Sequence, residues 1–163
     1  MAYGSGENAL LGQAIADTLT SKKMQLGTRM KAQDPTYGPG EFIYLKGVAS
    51  TAIGSVVLFN LDDWSTSLAT ANDKGPIAVA MSANVANQYG WYQIYGKGVA
   101  KVLAGFVDNG DCYLTATAGS VDDADVAGDF IRGMKGASAI DTPSTGLAEV
   151  ELAYPQVADG ADN

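Results

Sequence analysis

The residues whose types and spacing could carry chemistry are mostly carboxylates. The densest group is an acidic cluster formed by Asp122, Asp123, Asp125 and Asp129. A calcium loop brings several oxygen ligands to one point at alternate positions. Here Ala127 stands where the third ligand would be, and Met134 stands where the loop's closing glutamate would be. The cluster therefore predicts a solvated acidic loop, with a weak Ca²⁺ site as the alternative.

A second carboxylate pair, Glu149 and Glu151, is spaced two residues apart in a predicted strand, so both side chains project from one face. A glycosidase needs one protonated and one ionised carboxyl group on facing surfaces. Nothing else in the sequence marks a cleft, so the pair indicates a solvent-facing strand edge. A hydrolase that uses this pair stays open as an alternative function.

Histidine is absent and cysteine occurs once, at position 112. The missing imidazole removes the commonest general base and every Ser-His or Cys-His dyad. Cys112 cannot form an internal disulfide, and its apolar neighbours predict an inert buried thiol. The lone Gly96-Lys97-Gly98 predicts a hairpin or bulge, because no phosphate-binding loop pattern occurs.

Length and composition indicate one domain, or one domain plus an arm. The chain has 163 residues, of which 47% are hydrophobic and 17% charged, which excludes disorder over the whole length. Its net charge of −8 argues against binding nucleic acid or an anionic membrane. No secretory signal is recognised at the start, so we expect synthesis and retention in cytosol-like conditions.

The charge is unevenly distributed along the chain. Residues 1–103 carry a net charge of +1, whereas residues 104–163 carry −9. The stretch from residue 20 to 33 contains no acidic residue and four basic ones, Lys22, Lys23, Arg29 and Lys31. This pattern predicts a basic arm and an acidic far end; the alternative is that the charge only keeps a weakly charged surface soluble.

The hydrophobic periodicity divides the chain into three parts. Leu11, Ile15 and Leu19 recur at helical spacing and predict a short helix over residues 7–20. The Pro- and Gly-rich segment from Asp34 to Gly40 breaks regular structure. We therefore predict an N-terminal arm over residues 1–40, a β-rich domain over residues 41–157 and a frayed acidic tail over residues 158–163.

Residues 41–157 contain short apolar segments separated by turn residues, the pattern of an all-β domain. The Asn109-Gly110 pair predicts a tight turn, and residues 64–72 fit either a short helix or a loop. The fold class predicted from this pattern is mainly β. The predicted strands are Glu41–Val48, Ser55–Asn60, Pro76–Ser82, Tyr89–Tyr95, Val99–Leu103, Cys112–Thr115, Phe130–Met134 and Ala148–Leu152.

The segment YGWYQIYG at residues 89–96 is the densest aromatic feature. Strict alternation places Tyr89, Trp91 and Tyr95 on one face together with Gln93. Such a face could form core, a subunit interface or a ligand platform that stacks on sugars. All three interpretations remain open at the level of sequence.

Three segments of the chain carry a likeness to a known family: LGTRMKAQDPTYGPGEFIYLKGVAS (residues 26–50), GPIAVAMSANVANQYGWYQIYGKGVAKV (residues 75–102) and GDCYLTATAGSVDD (residues 110–123). Together they resemble the head decoration, or capsid cement, proteins of tailed bacteriophages. The resemblance covers residues 26–155 and rests on apolar, weakly charged strand patterns. It does not extend to the predicted helix.

The resemblance implies a compact β-rich domain of barrel-like, tulip-like or sandwich architecture. It also implies a structural protein without enzymatic activity, cofactor or metal. Such a protein sits on the outer surface of the virion as a homotrimer, bridges adjacent major capsid proteins, and is made in the host cytoplasm. A carbohydrate-binding or adhesin-type module is the alternative. The residues expected to contact the capsid or another subunit are Lys22, Lys23, Arg29, Lys31, Tyr89, Trp91 and Tyr95.

Overall fold

The structure, a computed structural model, describes residues 12–158, and its regular elements are all strands. This confirms the mainly β prediction. No helix within residues 12–158 is long and apolar enough to cross a bilayer. The strands are β1 (Thr18–Leu19), β2 (Arg29–Asp34), β3 (Gly38–Lys46), β4 (Val56–Phe59), β5 (Thr66–Leu68), β6 (Gly75–Ala80), β7 (Tyr89–Lys101), β8 (Asp111–Leu114), β9 (Val121–Asp122), β10 (Phe130–Gly136) and β11 (Leu147–Val157).

The eleven strands form one open sheet, and every pair among them is antiparallel. The main order is β2-β3-β7-β6-β11-β10-β8-β9. The basic strand β2 is therefore at one end of this order, and β8 and β9, which precede and enter the acidic loop, are at the other. The basic stretch and the acidic loop of the sequence therefore lie at opposite ends of this strand order.

The helix predicted over residues 7–20 is wrong wherever the structure describes it. Residues 12–17 form turns and bends, and β1 pairs with Gly90 and Tyr89 of β7. Gly12 has a φ of 70°, which a right-handed helix does not accommodate. Ile15 is buried without helical periodicity because the turns of this segment hold it against the aromatic cluster. Residues 7–11 lie outside the described chain.

The described part of the predicted arm packs into the sheet. Residues 29–40 supply β2 and the beginning of β3, which pair with each other from Arg29–Ile43 to Asp34–Gly38. Of the predicted tail, residues 159–163 lie outside the described chain.

The other predicted strands are present, although their ends differ by a few residues. Tyr89–Tyr95 and Val99–Leu103 belong to one long strand, β7, because Gly96 and Gly98 continue the ladder with β11. The turn at Asn109 is confirmed by its φ of 62°. Within residues 64–72 the chain forms β5, so neither a helix nor a simple loop is correct there.

Strand β7 organises the sheet. It pairs with β3 along one edge, and on the other edge with β6 at residues 92–93 and with β11 at residues 95–101. Strands β6 and β11 pair with each other again only at Pro76–Gln156 and Gly75–Val157. The three pairings enclose a gap in the sheet near Ile94 and Tyr154, where a depression of about 180 Å³ opens to the surface.

Buried apolar side chains form three clusters on the faces of this sheet. The third cluster contains Trp91, Phe42 and Tyr44, and residues 12–19 cover it. Gln13 holds this cover in place. Its amide nitrogen donates hydrogen bonds to the backbone oxygens of Tyr89 (2.8 Å) and Asp17 (2.9 Å), and its amide oxygen accepts one from the Tyr44 hydroxyl at 2.6 Å.

Candidate interaction surface

The predicted aromatic face is divided between core and surface. Trp91 is completely buried, and its indole nitrogen donates to the backbone oxygen of Gln13 at 3.0 Å. Tyr89 is half-buried against the same cluster. Tyr95, in contrast, is 47% exposed. For Trp91 the core interpretation is therefore correct.

A β-bulge explains why Tyr95 departs from the predicted face. Glu41 of β3 pairs with Tyr95, but the next residue, Phe42, pairs with Gln93, so Ile94 is an extra residue in β7. Directly paired residues have their side chains on the same face of a sheet. Phe42 lies on the face that carries Trp91, whereas Glu41 lies on the opposite face. The bulge thus moves Tyr95 onto the face of Tyr92 and Ile94. Strict alternation was the wrong assumption at this point.

A second irregularity places Tyr154 next to Tyr95. In the β10–β11 ladder Arg132 pairs with Gln156 and Met134 with Leu152, so one residue, Gly133, faces three residues of β11. Gly133 has a φ of 78°, and a Cβ there would lie 2.5 Å from the Ala153 oxygen. Tyr154 itself has a φ of 52°, an unfavourable value for a large side chain.

The two exposed tyrosines contact each other. Their ring centroids are 5.2 Å apart with the planes tilted by 39°, a favourable arrangement for aromatic pairs. Tyr154 is 52% exposed. A surface groove of about 530 Å³ begins at this pair and extends across β3 to β2. It is lined by Lys31, Ala32, Gln33, Pro39, Gly40, Glu41, Tyr95 and Tyr154. We call it the Tyr95–Tyr154 groove.

The charges of the groove are only partly compensated. Lys31 and Glu41 are direct partners across the β2–β3 ladder, yet they form no ion pair. The Tyr154 hydroxyl donates a hydrogen bond to the Glu41 carboxylate instead. That bond and the Glu41 charge raise the pKa of Tyr154, whereas nearby Arg29 lowers it. Arg29 and Lys31 are both exposed.

Of the seven residues predicted to make contacts, the structure brings Arg29, Lys31 and Tyr95 to the groove and the depression beside it. Lys22 and Lys23 are exposed in the segment between β1 and β2 but do not line either hollow. None of these four basic side chains forms an ion pair within residues 12–158, where Lys97–Glu149 is the one ion pair.

Sequence reasoning missed Glu41 and Tyr154 as members of this surface. The predicted strand Glu41–Val48 gives Glu41 no role beyond the start of that strand. Tyr154 follows the predicted strand Ala148–Leu152, and its position depends on the unequal pairing of β10 with β11. The sequence signals available were Pro155, which cannot donate to the ladder, and Gly133 in the partner strand.

The carboxylates of the acidic cluster do not converge on one point, as the ligands of a calcium loop would. Within residues 12–158 no three acidic or cysteine side chains come together as a metal site. Asp129 is buried and accepts a hydrogen bond from the Asn72 backbone nitrogen at 2.7 Å. Asp123 accepts one from the Val107 nitrogen at 3.1 Å. Each of these two carboxylates therefore binds the backbone of a neighbouring loop.

The other residues with candidate chemistry are Glu149, Glu151 and Cys112. The Glu149 carboxylate pairs with the Lys97 ammonium at 2.9 Å, and both Glu149 and Glu151 project from the outward face of β11. Cys112 is buried, as predicted, and burial raises the pKa of its thiol to about 12.

No protein-family model matches the chain, and no curated protein matches its sequence.

Proposed function

We propose that the protein is a structural component of a tailed-phage virion that decorates the icosahedral head. In this role it binds the outside of the shell as a homotrimer and bridges adjacent major capsid proteins. The observation that carries the proposal is the position of the exposed basic strand β2, at the end of the strand order opposite the acidic segments, where the two basic residues of β10, Arg132 and Lys135, are outnumbered by carboxylates. Exposed, unpaired Arg29 and Lys31 lie on β2 at one end, and the acidic segments around β8 and β9 lie at the other.

This polarity suits a protein that binds a surface in one orientation. The basic end would face acidic regions of the capsid, and the acidic end would face solvent. Complementary charge fixes orientation and speeds association. Burial of apolar area contributes about 25 cal/mol per Å², from which the entropic cost of association is subtracted. Contacts repeated over a shell add resistance to the outward pressure of packaged DNA. The role requires no catalysis, cofactor, nucleic acid or membrane.

Co-sedimentation of the purified protein with mature heads that lack it, and with unexpanded precursor shells, tests the proposal. We expect saturable binding to mature heads at one trimer per three-fold or local three-fold position. Absence of binding to both shells at micromolar concentration would refute the decoration role.

The charge contribution has a matched control. Changing Lys22, Lys23, Arg29 and Lys31 together to glutamine should weaken binding in low salt and reduce its salt dependence. The control changes four other lysines to glutamine: Lys46, Lys74, Lys101 and Lys135. Equal loss in both variants would mean that only net charge matters, and would contradict an oriented basic contact.

A carbohydrate-binding module is the second candidate, and the exposed Tyr95–Tyr154 pair is the observation that favours it. Aromatic rings at a surface can stack on pyranose rings through their apolar faces. The platform predicted from the sequence included Trp91, which is buried, so only Tyr95 remains from it in a groove. Saturation-transfer NMR with an oligosaccharide panel would detect this activity directly.

A further inference from the structure

We infer that the Tyr95–Tyr154 groove receives an extended, acidic segment of the partner protein, with the partner's carboxylates at Lys31 and Arg29 and its apolar side chains on the two tyrosines. The inference rests on the proposed function and assigns the contact to a particular surface and a particular partner chemistry.

The preference for acidic groups follows from how Glu41 is used. In an antiparallel ladder Glu41 would be the natural counter-ion of Lys31, because the two residues are directly opposite. The Tyr154 hydroxyl binds that carboxylate from the other side of the groove. The ammonium of Lys31 therefore lies exposed at the groove without a counter-ion, and Arg29, on the same face of β2, is exposed as well.

The tyrosine pair supplies the apolar part of the contact. Tyrosine and arginine are enriched at the energetic centres of protein interfaces, where a flat ring contributes much area for little conformational entropy. Tyr95 and Tyr154 are each about half exposed although they contact one another. A partner side chain laid along the groove would cover both rings at once.

An extended conformation for the partner follows from the direction of the groove. Tyr95 of β7 is opposite Glu41 of β3, and Glu41 is opposite Lys31 of β2, so the groove crosses two strand spacings, about 10 Å, on one face of the sheet. An extended chain covers that distance with about three residues. A short acidic segment with an apolar side chain at one end therefore reaches both the tyrosine pair and the exposed cations.

Single substitutions on mature heads test the inference. We expect Lys31→Glu and Tyr95→Ala each to weaken binding about tenfold, because each removes one side of the contact. Both side chains are exposed, so both variants should stay folded at the binding temperature, with unfolding midpoints lowered by the glutamate placed opposite Glu41 and by the lost Tyr154 contact. The matched controls are Lys135→Glu, with the same charge change on exposed β10, and Leu61→Ala, which truncates an exposed apolar residue elsewhere; both should bind like the wild type.

The outcomes separate the inference from the function. If the wild type binds heads and the Lys31 and Tyr95 variants bind equally well, the groove assignment is wrong while decoration stands. If the wild type binds neither shell, the proposed function itself fails. Poly-L-glutamate should release the wild-type protein from heads. Release by maltohexaose but not by poly-L-glutamate would overturn the inference and favour a sugar site.

Discussion

Replacing Gln13 by alanine should release the segment that covers the aromatic core. The Gln13 side chain is only 3% exposed and makes three hydrogen bonds, to Asp17, Tyr89 and Tyr44. The Asp17 residue is exposed, so its carbonyl can bind water after the change. The Tyr44 hydroxyl loses its acceptor and keeps only the bond that it accepts from the Lys23 backbone nitrogen at 3.3 Å, and the Tyr89 carbonyl loses the Gln13 amide.

The magnitude follows from these two groups. An unsatisfied buried polar group costs about 1–3 kcal/mol, and Tyr44 is completely buried. We therefore expect Gln13→Ala to lower the free energy of unfolding by about 2–4 kcal/mol. Gln33→Ala is the matched control, because Gln33 is exposed on β2; surface changes of this kind stay within about 0.5 kcal/mol.

Urea denaturation at fixed pH measures the difference through the midpoint and the slope. Tryptophan emission reports whether residues 12–19 stay attached, because the Trp91 indole binds the Gln13 backbone oxygen, which alanine retains. A red shift under native conditions would mean that the cover has detached. A loss below about 0.5 kcal/mol, with unchanged emission, would refute the view that Gln13 anchors this segment.

Two further substitutions follow from the geometry. Gly133→Ala should lower the free energy of unfolding by about 3 kcal/mol or more, because its Cβ would meet the Ala153 oxygen. Gly146→Ala is the control, with a similar φ of 76° and open space around it, and should cost only about 1–2 kcal/mol. Urea denaturation measures both. The pKa of the Cys112 thiol is 9.0 without burial, as in the unfolded chain, and burial raises it to about 12 in the folded protein. Its contribution to stability is therefore constant below pH 9 and falls by about 1.4 kcal/mol per pH unit above it, a slope that Cys112→Ala should lack.

Much of the sheet could be predicted because apolar alternation is a local signal. Strands such as Ile77–Ala80 within β6 and Phe42–Leu45 within β3 bury most of their residues, and their composition shows this directly. Strand β2 was missed because its alternating Arg29, Lys31 and Gln33 resemble a polar linker. Its stability comes from pairing with β3, a long-range contact that no local pattern contains.

The predicted N-terminal helix failed for a related reason. Leu11, Ile15 and Leu19 have helical spacing, but the positive φ of Gly12 and the packing of Ile15 against the aromatic cluster favour a segment of turns that covers the cluster. Tertiary burial of Ile15 and the hydrogen bonds of Gln13 outweigh a weak helical preference. The groove failed to appear in the sequence because it depends on two bulges, each defined by the register of strands distant in sequence.

The strained backbone of Tyr154 allows its role in folding to be tested apart from its proposed role in binding. Tyrosine is unfavourable at a φ of 52°, where glycine is not strained, while the contact with Tyr95 and the bond to Glu41 offset that strain. Tyr154→Gly removes the strain and the compensating contacts together, so we expect little change in the unfolding midpoint. It also frees Glu41 to pair with Lys31, which removes both the aromatic surface and the unpaired cation. Binding to heads should therefore fall as far as in Tyr95→Ala. A variant that is as stable as the wild type and binds heads equally well would show that Tyr154 serves only the geometry of the bulge.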